Sequence, residues 1–189
     1  SPGALVWRYR VLEINPKSLD DRLALAKTAL LLGNYSAATN ALAGVDDAGR
    51  KTAAFQNLAG TVAVTLGDAP AAEACFTEAI RLEPWNSVPQ LNLSVVRLQG
   101  TNTLDMAEAR IALARVSQTS TNRENRSQAL RELVVDAVRF KQVDQALSLS
   151  QELLRQTNSI FRDRLLYLDV LHEFKQPGFK STLAGMQRE

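Results

Sequence analysis

One cysteine and one histidine in 189 residues leave few side chains for chemistry. Cys75 has no second thiol, so no disulfide can form within the chain, and it reads as a buried, inert thiol. His172 is followed by Glu173 and has no ligand set at metal spacing, so it reads as a packing or surface residue. No metal or other cofactor is expected. No apolar run approaches the roughly 18 residues of a membrane span. The opening SPGALVWRYR lacks the apolar stretch of a secretory signal. Gly60 and Gly67 are not followed by a phosphate-loop lysine. An excess of charge is also missing, because 22 basic residues face 20 acidic ones. That balance argues against nucleic acid or an anionic membrane as partner. Residues 1–84 carry 8 basic and 9 acidic groups and residues 85–189 carry 14 and 11, a drift that reads as solvated surface. The neighbours Asp20-Asp21 and Asp46-Asp47 point apart on a helix and make no catalytic pair. Asn34 and Asn92 each open an Asn-x-Ser triplet, but both fall inside the pattern described next.

Hydrophobic residues, 46% of the chain, are plentiful enough for a core. They recur at an interval of 34: Gly33 and Gly67, Ala38 and Ala72, Leu42 and Phe76, Val45 and Ala79, with Ala4 and Val11 one interval earlier. Pro16 and Pro84 lie two intervals apart. A fixed period of this length marks a repeat architecture. Each unit contains two helical stretches. Residues 19–32 form an apolar stripe through Leu23, Leu25, Ala26, Ala29 and Leu30, opened by Ser18 with Asp21 three residues on. Gly33-Asn34 turns the chain and 35–45 resume. The second unit predicts helices near 52–66 and 69–83, with Gly67-Asp68 as the turn, Asp68 as cap, Pro70 in the first turn and Pro84 as the stop. Small residues allow paired helices to approach: Ala26 or Gly60 is expected against Ala38 or Ala72, with Leu42 and Phe76 filling the space below. A third unit is expected through Leu93, Ser94, Gly100, Ala107, Ile111 and Ala114, with GTNTLD as an elongated turn. After the polar linker SQTSTNREN, where Thr121 and Glu124 have capping-box spacing, a fourth unit follows Leu133, Val134, Ala137, Ala146 and Leu153. A fifth begins near Ser159 with Phe161, Leu165, Leu168 and Leu171. Trp7 and Trp85, near unit boundaries, are expected to pack between units.

These residues resemble the tetratricopeptide repeat, a helix–turn–helix unit of 34 residues. Ala59, Gly60, Gly67, Ala72, Phe76, Ala79 and Pro84 match the family pattern, as do Leu25, Ala26, Gly33, Tyr35, Ala38, Leu42 and Val45. Position 50 is arginine where the pattern has proline, so that unit is expected to close through DDAGR. The resemblance implies an all-α, right-handed superhelical solenoid of antiparallel helix pairs with about four and a half repeats. The units are expected at 1–16 (second helix of a truncated repeat), 18–49, 50–86, 87–117, 122–156 and 158–189 (an incomplete or capping repeat), all in one domain. Both ends read as cut from a longer protein.

In the family, first helices line a concave face that holds a peptide or a helix. Carried over position by position, the resemblance implies partner-binding residues Asp20, Leu23 and Lys27, then Asn57 and Thr61, Leu91 and Val95, and Arg131, Val135 and Arg139. Leu31, Val64 and Val88 fall on the same face. A clamp for a terminal carboxylate is not expected, because Leu23 and Leu58 stand where it needs polar groups. The expected function is a non-catalytic scaffold with a protein or peptide partner, no nucleic acid and no membrane span. Two alternatives stand beside it: a regulatory or substrate-recruiting arm of a larger enzyme, such as a glycosyltransferase, and self-association through exposed repeat ends. The alanine-rich repeats read as bacterial, in cytoplasm or periplasm.

Overall fold

A computed structural model describes residues 2–156 and 159–187. The outer limits of the first and last expected units, at residues 1, 158 and 188–189, lie outside the described residues. The described residues form helices without strands: α1 Pro2–Ile14, α2 Leu19–Leu31, α3 Tyr35–Ala43, α4 Asp47–Arg50, α5 Ala53–Thr65, α6 Ala69–Leu82, α7 Ser87–Gln99, α8 Thr103–Thr119, α9 Arg123–Arg139, α10 Val143–Arg155, α11 Phe161–Glu173 and α12 Phe179–Met186. They divide into two compact units, Ser1–Val96 and Arg97–Glu189, with the boundary inside α7.

In the first unit α2, α3, α5 and α6 begin where a side chain satisfies an orphan backbone N–H. Ser18 Oγ accepts from Asp21 N at 3.2 Å, Asn34 Oδ1 from Ala37 N at 3.0 Å, and Asp68 Oδ1 from Ala71 N at 3.0 Å. Thr52 Oγ1 accepts from Phe55 N at 3.3 Å. Where the repeat pattern has proline, Arg50 donates to Val45 O and Ala43 O, both at 2.9 Å, and so satisfies carbonyls at the end of α3. The core joins Leu25, Ala26 and Ala29 of α2 to Ala38, Ala41 and Leu42 of α3 and to Leu58 and Val62 of α5. Leu5 and Leu12 of α1 pack on it. A second cluster holds Ala72 and Phe76 of α6 with Leu93 and Val96 of α7. The atoms nearest a Cβ on Gly60 are ring carbons of Phe76, from 2.6 Å, so the glycine makes room for the ring rather than for Ala72.

In the second unit α9 is the central helix, packed on α8, α10 and α11. Its apolar face supplies Val134 and Ala137 to a core shared with Ala146 of α10 and Val170 of α11. Two expected boundaries shift here. Gly100 to Asp105 is not one long turn: α8 starts at Thr103, with Asn102 Oδ1 accepting from Leu104 N at 3.0 Å. The earlier start changes the phase of α8. Ala109, Leu113 and Val116 face the core, two residues beyond the expected Ala107, Ile111 and Ala114, and Ile111 is 63% exposed. The polar stretch after it stays helical as far as Thr119, and Ser117 and Thr119 return their hydroxyls to Ala114 O and Arg115 O instead of competing for the turn. Asn122, not Thr121, caps α9, accepting from Glu124 N at 2.9 Å.

Four turns share one closure. Asn34 N reaches Ala29 O, Asp68 N reaches Ala63 O, Gln142 N reaches Ala137 O and Gln176 N reaches Leu171 O, at 2.8–2.9 Å. The residue before each is left-handed: Gly33 (φ +71°), Gly67 (+79°), Lys141 (+57°) and Lys175 (+51°). Phe140-Lys141-Gln142 and Phe174-Lys175-Gln176 are the same tripeptide one 34-residue interval apart.

Candidate functional site

The first helices of the repeats, α2, α5, α7, α9 and α11, carry the expected partner-binding residues, and the structure sorts these by access. In the first unit Asp20 and Lys27 are exposed on α2. Leu23 is 5% exposed and belongs to the core with Leu58, so it offers nothing to a partner, contrary to expectation. Its position on the apolar stripe of α2 outweighs its place in the repeat register. Leu31 is 87% exposed on the same helix and Val64 is 42% exposed on α5. Asn57 and Thr61 are half-buried. Asn57 Oδ1 accepts from Asn92 Nδ2 of α7 at 3.0 Å, tying α5 to α7. Thr61 Oγ1 donates to Asn57 O at 2.9 Å, within its own helix. Leu91 is 7% exposed and corrects the same expectation as Leu23, while Val95 and Val88 remain half-buried.

In the second unit Arg131 is also a correction: it is 5% exposed. Its Nε and Nη2 donate to Asp163 Oδ1 and Oδ2 of α11 at 2.6 and 3.2 Å. Its Nη1 donates to Glu124 Oε1 at 2.7 Å. Asp163 is fully buried and also accepts from Ile160 N at 2.9 Å, so one carboxylate caps α11 and holds α9. The bond to Asp163 pushes the guanidinium pKa upward against the opposing effect of burial. Arg131 therefore positions α11 against α9 rather than meeting a partner. Arg110 does the same for α8, donating to Asp136 Oδ2 at 2.6 Å, with its guanidinium 4.9 Å from the Phe140 ring.

One turn beyond this clamp, Val135 is 52% exposed. It lines a cavity of about 390 Å³ with Val138 of α9 and Leu166, Asp169, Val170, His172 and Glu173 of α11. Arg139 is exposed, and its Nη1 donates to Leu98 O at 2.8 Å. The α11 side of this groove was overlooked in the sequence, although a signal existed: Arg131, Val135 and Arg139 advanced by one 34-residue interval give Leu165, Asp169 and Glu173.

Other singled-out residues fall elsewhere. Trp7 and Trp85 are 65% and 80% exposed and do not pack between helices, which corrects the expectation; Arg10 lies 5.4 Å from the Trp7 ring. Phe161 and Leu165 are likewise exposed, at 62% and 40%. Cys75 is half-buried, and burial pushes its thiol pKa up, away from a reactive thiolate. His172 is exposed with its ring 5.1 Å from that of Phe179. Among the described residues no group of three or more His, Cys, Asp or Glu could hold a metal, and no helix is long and apolar enough to cross a membrane.

No protein-family model and no curated protein matches the sequence. Solved structures match its fold. PilW, a widely conserved type IV pilus biogenesis factor, superposes with a TM-score of 0.80 at 16% identity over 96% of this chain and 82% of its own. A thermophilic tetratricopeptide-repeat protein of Thermus thermophilus, TTC0263, gives 0.75 at 18% identity, over 89% of each chain. Pseudomonas aeruginosa pilF gives 0.71 at 20% identity, over 83% of this chain and 69% of its own. At such identities the likeness is one of fold: the chain is an all-α solenoid of the tetratricopeptide-repeat kind.

Proposed function

We propose that this protein is a non-catalytic scaffold that binds a peptide or a helix of a partner protein through the outward faces of its first helices. The observation that carries this reading is the groove between α9 and α11. It has an apolar floor on two first helices that a buried ion pair holds in place, and Val135 stands open at its edge. Packed apolar anchors surrounded by polar groups are what protein recognition uses. In the first unit Asp20, Lys27 and the half-buried Asn57, Thr61 and Val95 offer a more polar face of the same kind. Repeat folds of this kind present extended surfaces for such segments. The role of PilW in pilus biogenesis belongs to that protein, and fold likeness at 16% identity does not carry it over.

The test is partner capture on immobilised protein with identification by mass spectrometry. Wild type runs beside Lys27→Glu/Val135→Glu and beside Leu104→Glu, which alters an exposed residue of the second helix α8. All three keep the core and should give the same circular dichroism. A partner lost only with the first variant supports the reading. A partner lost with Leu104→Glu and kept by the other moves binding to the second helices and sinks it.

A further inference from the structure

We propose that the α9–α11 groove selects a partner segment in which an aliphatic side chain is flanked by arginine or lysine. This rests on the first-helix face being the binding surface and names the chemistry of what it binds. The cavity, about 390 Å³, lies at the small end of ligand pockets, suited to one anchoring side chain rather than a cofactor. Val138, Leu166 and Val170 make its floor apolar, with Val135 at the edge. Both of its charged lining residues are carboxylates, Asp169 and Glu173, and both are exposed at the rim. Among the described residues Asp169 has no ion-pair partner within 4.0 Å. Glu173 Oε1 lies 3.8 Å from Lys141 Nζ, with the side chains 51% and 78% exposed, a loose pair that an incoming guanidinium replaces at little cost. The nearby cation Arg139 is turned to Leu98 O and to the Phe140 ring, 5.4 Å away. A segment carrying acidic flanks, or a nucleic acid, would bring its charge against both carboxylates, and Lys141, beside Glu173 and outside the lining, is the cation left to offset it. Basic flanks meet one carboxylate each while the aliphatic side chain takes the floor.

The experiment uses the full chain with labelled valine and leucine methyl groups, followed by NMR. It is titrated with an acetylated heptapeptide whose central leucine is flanked by arginines, and with counterparts flanked by glutamates or by serines. The arginine peptide is expected to shift the methyls of Val135, Val138, Leu166 and Val170 and to bind about tenfold tighter than the glutamate peptide. In Asp169→Lys/Glu173→Lys, whose changes lie on the surface, the order should reverse. Equal binding of the three peptides, an unchanged order in the variant, shifts confined to other methyls, or no binding of any peptide would each overturn the proposal. If the peptides rank equally while partner capture still depends on Lys27 and Val135, the basic-flank assignment fails and the scaffold reading stands. If capture ignores those two residues, the scaffold reading fails with it.

Discussion

A Cβ placed on Gly60 would sit 2.6 Å from Cε1 of Phe76, a ring that is 1% exposed and has no room to retreat. At Gly67 nothing lies within 4 Å, and the constraint is the backbone alone, at φ +79°. The two glycines of one repeat signature thus do different physical jobs. Gly60→Ala should cost about 1–3 kcal/mol by overpacking, even after the helix-propensity gain of alanine. Gly67→Ala should cost about 1 kcal/mol through the left-handed conformation. Urea unfolding in a double-mutant cycle separates them: Phe76→Leu should couple favourably to Gly60→Ala by at least about 0.5 kcal/mol and leave Gly67→Ala uncoupled. Glu132 is a second residue-scale case. Desolvation by burial pushes its carboxyl pKa up, more than the Gln128 hydrogen bond and the charges of Arg162 and Arg131 pull it down. A carboxyl raised on folding supports the fold while protonated and loses that contribution as pH rises through its folded value. Glu132→Gln should therefore raise the melting temperature at pH 7. The gain should vanish below the ordinary glutamate pKa of about 4.3, because both side chains are then neutral in both states.

The α9–α11 pair depends on one buried ion pair, Arg131 with Asp163, 7% and 0% exposed at the side chain. Removing one partner leaves the other charged and buried. Arg131→Met should destabilise by about 3–5 kcal/mol, and Arg131→Met/Asp163→Leu should recover most of it. Recovery in thermal melts would confirm that the pair orients the helices. Failure to recover would mean that the capping bond from Asp163 to Ile160 N carries more than the bridge. At this scale the sequence was partly legible. Ser18, Gly33, Gly67 and Asp68 stand where helix ends need them, so local chemistry located α2, α3, α5 and α6. Arg131 was misread because its partner lies 32 residues away, and periodicity says nothing about which side chain waits there. Leu23 was misread because register assigns a position while burial depends on the helix packed over it. The end of α8 was misread because Ser117 and Thr119 resemble linker residues until their hydroxyls return to the helix backbone. The groove's acidic rim was legible through the 34-residue interval, which the recurring Phe-Lys-Gln tripeptide of residues 140–142 and 174–176 keeps in phase.

Across the described residues, contacts run mainly between consecutive helices, with α5 on α6, α9 on α10, α2 on α3 and α8 on α9 the most extensive pairs. Stability in such a chain is a sum of local terms rather than one global quantity. Arg131→Met should therefore lower hydrogen-exchange protection in α9, α10 and α11 by far more than in α2 and α3; equal loss in both units would show a single cooperative fold instead. The same modularity separates the residues that support the helices from those proposed for binding. Arg110, Arg131, Asp136 and Asp163 hold helices together, while Lys27, Val135, Asp169 and Glu173 remain open. The most direct test of binding through the first helices is photo-crosslinking in lysate from the native host. A benzophenone amino acid replaces Lys27 or Val135 on first helices, or Leu104 or Ile111 on the second helix α8, all four being exposed. Adducts with one protein from positions 27 and 135, and none from 104 and 111, are the predicted result. Adducts from 104 or 111 alone would contradict the account.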